Sequence, residues 1–117
     1  MTSKELRKKW VEALRSGKYK HCRRWLHDGE GYDCMGVLCI VYGLKPEKTP
    51  EGYVFDGKRD IVPMTVAKAV KLRTRIGLYE IEGGDQFSLN DLNDLDFSFR
   101  ELADIIESEP KGLFYDV

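Results

Sequence analysis

The sequence predicts a single α+β domain over residues 1–117, with about four helices joined by short antiparallel β-hairpins. Three observations carry that prediction. Thr2-Ser3-Lys4-Glu5 and Ser98-Phe99-Arg100-Glu101 are capping-box patterns, each followed by apolar residues at helical spacing. The longest apolar run lies within Tyr32–Gly43, between a turn signal and a glycine. The chain between these helices carries glycine-containing turns flanked by short strand-like stretches, without a regular βαβ alternation.

The elements follow in order. Leu6, Trp10, Ala13 and Leu14 predict a helix over about 3–16, ended by Gly17. Its other face, with Lys4, Lys8, Glu12 and Arg15, is charged and suits solvent. Tyr19 to His27 mixes polar, aromatic and Cys residues, and Asp28-Gly29-Glu30-Gly31 is a turn signal, so a hairpin leading to Tyr32 is expected. Asp33 caps a buried helix over about 34–42. Gly36 inside it costs ~1 kcal/mol relative to alanine, which points to a close packing partner.

Pro46 and Pro50 mark a loop. Tyr53-Val54-Phe55, Asp56-Gly57 and Ile61-Val62 read as a second hairpin. Pro63 opens another helix whose apolar face is Val66, Ala67, Val70 and Leu72. Tyr79-Glu80-Ile81 and Gln86-Phe87-Ser88 flank Gly83-Gly84 as a third hairpin. Phe99, Leu102, Ala103, Ile105 and Ile106 line the last helix, Pro110 closes it, and Gly112-Leu113-Phe114-Tyr115 is apolar enough to dock back. The expected core is Leu6, Trp10, Leu14, Val37, Leu38, Val41, Leu102, Ile105 and Ile106.

The chain is 42 % hydrophobic and 33 % charged, an ordinary globular composition. No run approaches a membrane span and no signal-peptide segment is visible, so a cytoplasmic protein without membrane contact is expected. Cys22, Cys34 and Cys39 are odd in number and suit reduced, buried thiols. Charge is unevenly spread. Residues 1–27 hold nine Lys/Arg against Glu5 and Glu12, whereas residues 78–117 hold eleven Asp/Glu against Arg100 and Lys111. Either the two ends attract each other within the fold, or they offer a basic and an acidic face to partners.

Several chemistries deserve weighing. Cys34, expected in the first turn of a helix, would have its thiolate favoured by the dipole and free N–H groups, with His27 or His21 as base. Cys22, His27, Cys34 and Cys39 could be read as a zinc set, but Cys34 and Cys39 fall about 140° apart around a helix. No metal and no cofactor is therefore expected. Asp91-x-Asn93-x-x-Asp96 looks like a calcium loop, yet Asp96 stands where glycine is needed and Leu102 where glutamate is needed. A polar turn is the simpler reading. Lys18, Lys20, Arg23 and Arg24, interleaved with Tyr19 and Trp25, form a candidate binding patch able to hold phosphates and stack bases.

Two resemblances add to this. The series Trp10-x-x-Ala13-Leu14-x-Ser16-Gly17-x-Tyr19, Tyr32-x-Cys34-x-Gly36-Val37-Leu38-Cys39, Leu92-Asn93-Asp94 and Ser98-Phe99-x-x-Leu102-Ala103-x-Ile105-Ile106-Glu107 resembles small conserved proteins of tailed bacteriophages. That implies a phage or prophage origin and no particular activity. In that pattern a cysteine often stands where this chain has Asp33, and a leucine where it has Met35. Asp33-Cys34-Met35-Gly36-Val37-Leu38 also resembles the nucleophile segment of NlpC/P60 cell-wall peptidases, although that family's downstream histidine has no counterpart here. The leading expectation is a non-enzymatic phage-type accessory protein that binds a host or phage macromolecule, most readily a protein. A cysteine hydrolase using Cys34 and a small nucleic-acid-binding module are the alternatives.

Overall fold

The N-terminal helix α1 spans Ser3–Arg15, and both arms of its capping box form. Glu5 N–H donates to Thr2 Oγ1 and Thr2 N–H to Glu5 Oε1, each at 3.1 Å. Leu6, Trp10, Val11 and Leu14 make its buried face. The structure is a computed structural model and describes residues 1–116.

The central helix α2, Cys34–Tyr42, has the predicted bounds. Asp33 Oδ1 accepts Gly36 N–H at 2.7 Å, and left-handed Gly43 (φ 118°) ends the helix. Gly36 has the close partner its cost implied. A Cβ there would lie 1.9 Å from the Leu26 carbonyl oxygen, so only glycine lets residues 18–33 lie against the helix.

That segment departs from the predicted hairpin. Tyr32 N–H donates to Lys20 O and Cys22 N–H to Tyr32 O, each at 2.8 Å, as isolated bridges without a strand ladder. Arg24 takes a left-handed conformation (φ 71°), which breaks the extended run.

The second hairpin also pairs differently. β1 (Glu47–Thr49) and β2 (Gly52–Val54) pair antiparallel, with Glu47 opposite Val54. The segment at 53–54 thus pairs upstream, across Pro50-Glu51, instead of with Ile61-Val62. Asp56-Gly57 still makes a tight turn, but it closes on the single bridge Phe55–Lys58.

Helix α3, Met64–Val70, begins after Pro63 and buries Val66, Ala67 and Val70. Strands β3 (Leu78–Glu80) and β4 (Gln86–Ser88) form the predicted hairpin across Gly83-Gly84. Immediately after it comes α4, Leu89–Asp94, where a polar turn was expected. Ser88 Oγ caps it, accepting Asp91 N–H at 3.0 Å, and Leu89 and Leu92 are buried. There are thus five helices among the described residues, against about four expected. The last, α5, Phe99–Ser108, has its full capping box at Ser98 and Glu101.

Helix α1 packs on α2, α3 and α5, and α2 on α4, around one core. The expected core residues are buried except Val41 and Ile105, which are half-buried at its edge. The C-terminal segment docks as predicted, with Leu113 and Phe114 buried and Arg73 N–H donating to Leu113 O at 3.0 Å. The result is one compact α+β domain with a Cα radius of gyration of 13.2 Å. No helix among the described residues is long and apolar enough to cross a membrane.

Candidate functional site

The opposed charges of the two ends meet within the fold. Arg15 binds Asp104 and Glu107, at 2.7 and 3.0 Å. Arg23 grips Asp96 through two nitrogens. Buried Arg7 donates to Val70 O at 3.1 Å, pairs with Glu109 and Asp116, and lies 4.0 Å over the Phe114 ring. Three of the nine Lys/Arg of residues 1–27 are thus paired with the acidic end.

The central stretch holds a buried polar node. Cys34 is fully buried, its N–H donates to Asn93 Oδ1 at 3.1 Å, and its thiol faces Leu89 O at 3.9 Å. Asn93 also donates through Nδ2 to Cys22 O at 3.0 Å, joining α4 to both α2 and the 18–33 segment. Trp10 Nε1–H donates to Cys34 O at 2.9 Å. Burial pushes the Cys34 thiol well above its ordinary value, and the neighbouring Asp33 and Asp94 push the same way. The helix terminus that would favour a thiolate is thus overruled by desolvation.

Neither histidine serves Cys34. His27 is buried, its Nδ1 is 2.7 Å from Gly31 O, and its ring stacks on Tyr32 with centroids 4.2 Å apart. That carbonyl requires the proton on Nδ1. His21 packs on Phe99 at 4.7 Å, and its Nε2 is buried without a partner. Cys22 donates its thiol to Trp25 O at 3.2 Å, and burial pushes that thiol up to about 12. No group of three or more His, Cys, Asp or Glu among the described residues is placed to hold a metal ion. The calcium-like stretch is instead spent inside the fold. Asp91 lies in the first turn of α4, Asn93 is in the buried node, and Asp96 holds Arg23.

The predicted binding patch divides. Lys20 pairs with Glu30 at 3.0 Å and Arg23 with Asp96, both in solvent-exposed pairs. Lys18 is exposed. Arg24 is held by its backbone, N–H to Asp94 Oδ1 at 2.8 Å, which leaves its guanidinium 5.7 Å from the Trp25 ring centre. On the same indole lies a residue the sequence did not single out. The Arg59 guanidinium is 3.7 Å from the Trp25 centroid, held there because Leu26 N–H donates to Arg59 O at 3.0 Å. Neither the Arg24 nor the Arg59 guanidinium has a carboxylate oxygen within 4.0 Å among the described residues. Beside them opens a recess of about 210 Å³, walled by Trp25, His27, Tyr53 and Arg59 over Gly52. Asp28 also lines it, and its Oδ1 accepts N–H bonds from Gly31 and Glu30, at 2.7 and 2.9 Å, which hold the carboxyl below its ordinary range and keep it negative. Aromatic walls with the Arg59 guanidinium, and the Arg24 guanidinium near the same indole, can hold a flat group that meets arginine.

Residues 1–110 match the family model described as "Domain of unknown function (DUF8296)", and the chain belongs to that family. No curated protein and no solved structure matches the chain.

Proposed function

We propose that this member of a family of unknown function is a non-enzymatic accessory protein, of the phage type its sequence resembles. It would act in the host cytoplasm by binding an acidic surface of a host or phage protein. One observation carries this reading: the guanidiniums of Arg24 and Arg59 both lie near the Trp25 ring, neither paired to a carboxylate among the described residues, while neighbouring Lys20 and Arg23 each pair with a carboxylate of the chain. Arginine and tryptophan so placed are the side chains that most often anchor interfaces. Burial of Cys34 and its raised thiol weigh against the hydrolase reading.

Single-stranded nucleic acid is the second reading, favoured by the aromatic recess beside the two arginines. Affinity capture from bacterial lysate, with and without nuclease, compares the native chain with an Arg24→Ala/Trp25→Ala/Arg59→Ala variant. A specific protein retained by the native chain after nuclease, released by moderate salt and lost by the variant, supports the first reading. Nuclease-sensitive capture supports the second. Identical capture by both chains refutes this face as the binding site.

A further inference from the structure

A cavity of about 450 Å³ lies where three segments meet: the chain after α3, the β3–β4 hairpin and the C-terminal segment. It shares no lining residue with the Trp25 recess. Its size falls in the range of about 300–1,000 Å³ usual for small-molecule sites. Backbone hydrogen bonds hold the three segments in place. Glu80 N–H donates to Lys111 O at 2.8 Å, Arg73 N–H to Leu113 O at 3.0 Å, and Tyr115 N–H to Lys71 O at 2.9 Å. The walls are thus built before any ligand arrives, which lowers the ordering cost of binding.

The lining chemistry is specific. Arg73 and Lys111 bring two positive charges against one carboxylate, Glu80. Lys111 Nζ is 3.6 Å from Glu80 Oε2 in a solvent-facing pair, which holds it weakly. Arg73 has no carboxylate oxygen within 4.0 Å among the described residues, and its guanidinium is 5.5 Å from the centre of the exposed Tyr115 ring. Thr74 Oγ1 accepts Leu78 N–H at 2.8 Å, so its hydroxyl proton remains to donate. The Gln86 side chain adds an amide.

We propose that this cavity binds a mononucleotide-sized anion: a phosphate monoester carrying a flat, polar-edged ring. Arg73 forks onto the phosphate, with Lys111 as the second charge and Thr74 as a neutral donor. The ring lies on Tyr115, and Glu80 with Gln86 takes its polar edge or a sugar hydroxyl. A bare anion would leave Tyr115 unused and lie against the like charge of Glu80. A polynucleotide crossing the hairpin tip would meet Glu82 and Asp85.

The test titrates the full chain with AMP, GMP, UMP, adenosine and inorganic phosphate, by calorimetry and by backbone amide shifts. At least one mononucleotide should saturate one site with a Kd of about 0.1–1 mM, shifting the Thr74, Glu80 and Tyr115 amides. Adenosine and phosphate alone should each bind at least about tenfold more weakly, and Arg73→Ala should weaken mononucleotide binding by about tenfold without moving the unfolding midpoint. Arg24→Ala should leave it unchanged, which separates this site from the Trp25 face. No saturation by any of the three mononucleotides up to about 5 mM overturns the proposal. So does phosphate binding as well as they do, or an affinity indifferent to Arg73→Ala.

Discussion

Replacing Asp33 by asparagine should stabilise the protein at neutral and alkaline pH while costing stability in acid. Asp33 is 4 % exposed, and its Oδ1 caps α2 by accepting Gly36 N–H at 2.7 Å. Burial pushes its carboxyl from an ordinary 3.8 up to about 7. The Gly36 hydrogen bond opposes the rise, the Asp94 charge adds to it, and a bond from Met35 opposes it. Between those two values the native state holds a proton that the unfolded chain has released. Native stability therefore falls as pH rises through that window, is fully present below it, and levels off above about 7. A shift of about three units at 1.36 kcal/mol each corresponds to ~4 kcal/mol lost across it. Asparagine ranks with aspartate as an N-cap and keeps an acceptor for Gly36, but it does not ionise. Its extra amide hydrogens cost ~1–2 kcal/mol if they find no partner in this site. The variant should then be slightly weaker than the native protein near pH 4 and stronger by ~2–3 kcal/mol near pH 8. Urea unfolding followed by tryptophan fluorescence, run on both proteins between those values, reads the crossing directly. A difference between the two proteins that does not change with pH would refute the reasoning, as would a variant that loses ground as pH rises. The first result would mean that burial does not raise the Asp33 carboxyl, and the second that the cap is an ionised, stabilising carboxylate.

Three other perturbations test the same region. Gly36→Ala should gain ~1 kcal/mol of helix propensity yet lose ~3–5 kcal/mol overall, because its Cβ would meet the Leu26 carbonyl at 1.9 Å; an unchanged urea midpoint would contradict that close approach. Asn93→Ala strips partners from Cys34 N–H and Cys22 O and should cost ~2–4 kcal/mol, measured by the same unfolding curves, whereas a neutral effect would mean that water replaces both bonds. Cys34 should resist iodoacetamide at neutral pH until urea unfolds the chain, read by peptide mass spectrometry, and rapid native-state labelling would restore it as a nucleophile candidate.

The candidate site was legible only where its cause was local. Trp25 and Arg24 stood out as an aromatic among basic residues, and Gly36 as a glycine inside a helix. Arg59 did not, because the turn that brings it onto Trp25 depends on Leu26 pairing with a backbone more than thirty residues away. Asn93 read as a turn former, since nothing near it in sequence shows that its amide spans two other segments.

Local sequence was enough for α1, α2 and α5, because caps and apolar spacing act within a few residues of the atoms they satisfy. It also determined the β3–β4 hairpin and the docking of Leu113 and Phe114, through a tight glycine turn and plain hydrophobicity. Tertiary structure alone decided that β2 pairs upstream with β1, since a three-residue strand has too little pattern of its own to choose a neighbour. It alone made α4 a helix, by burying Leu89 and Leu92 against weak local propensity. It decided, too, that some of the opposite charges of the two ends pair with each other. Ion pairing and burial depend on distance in space, and distance in space is set only once the core has closed.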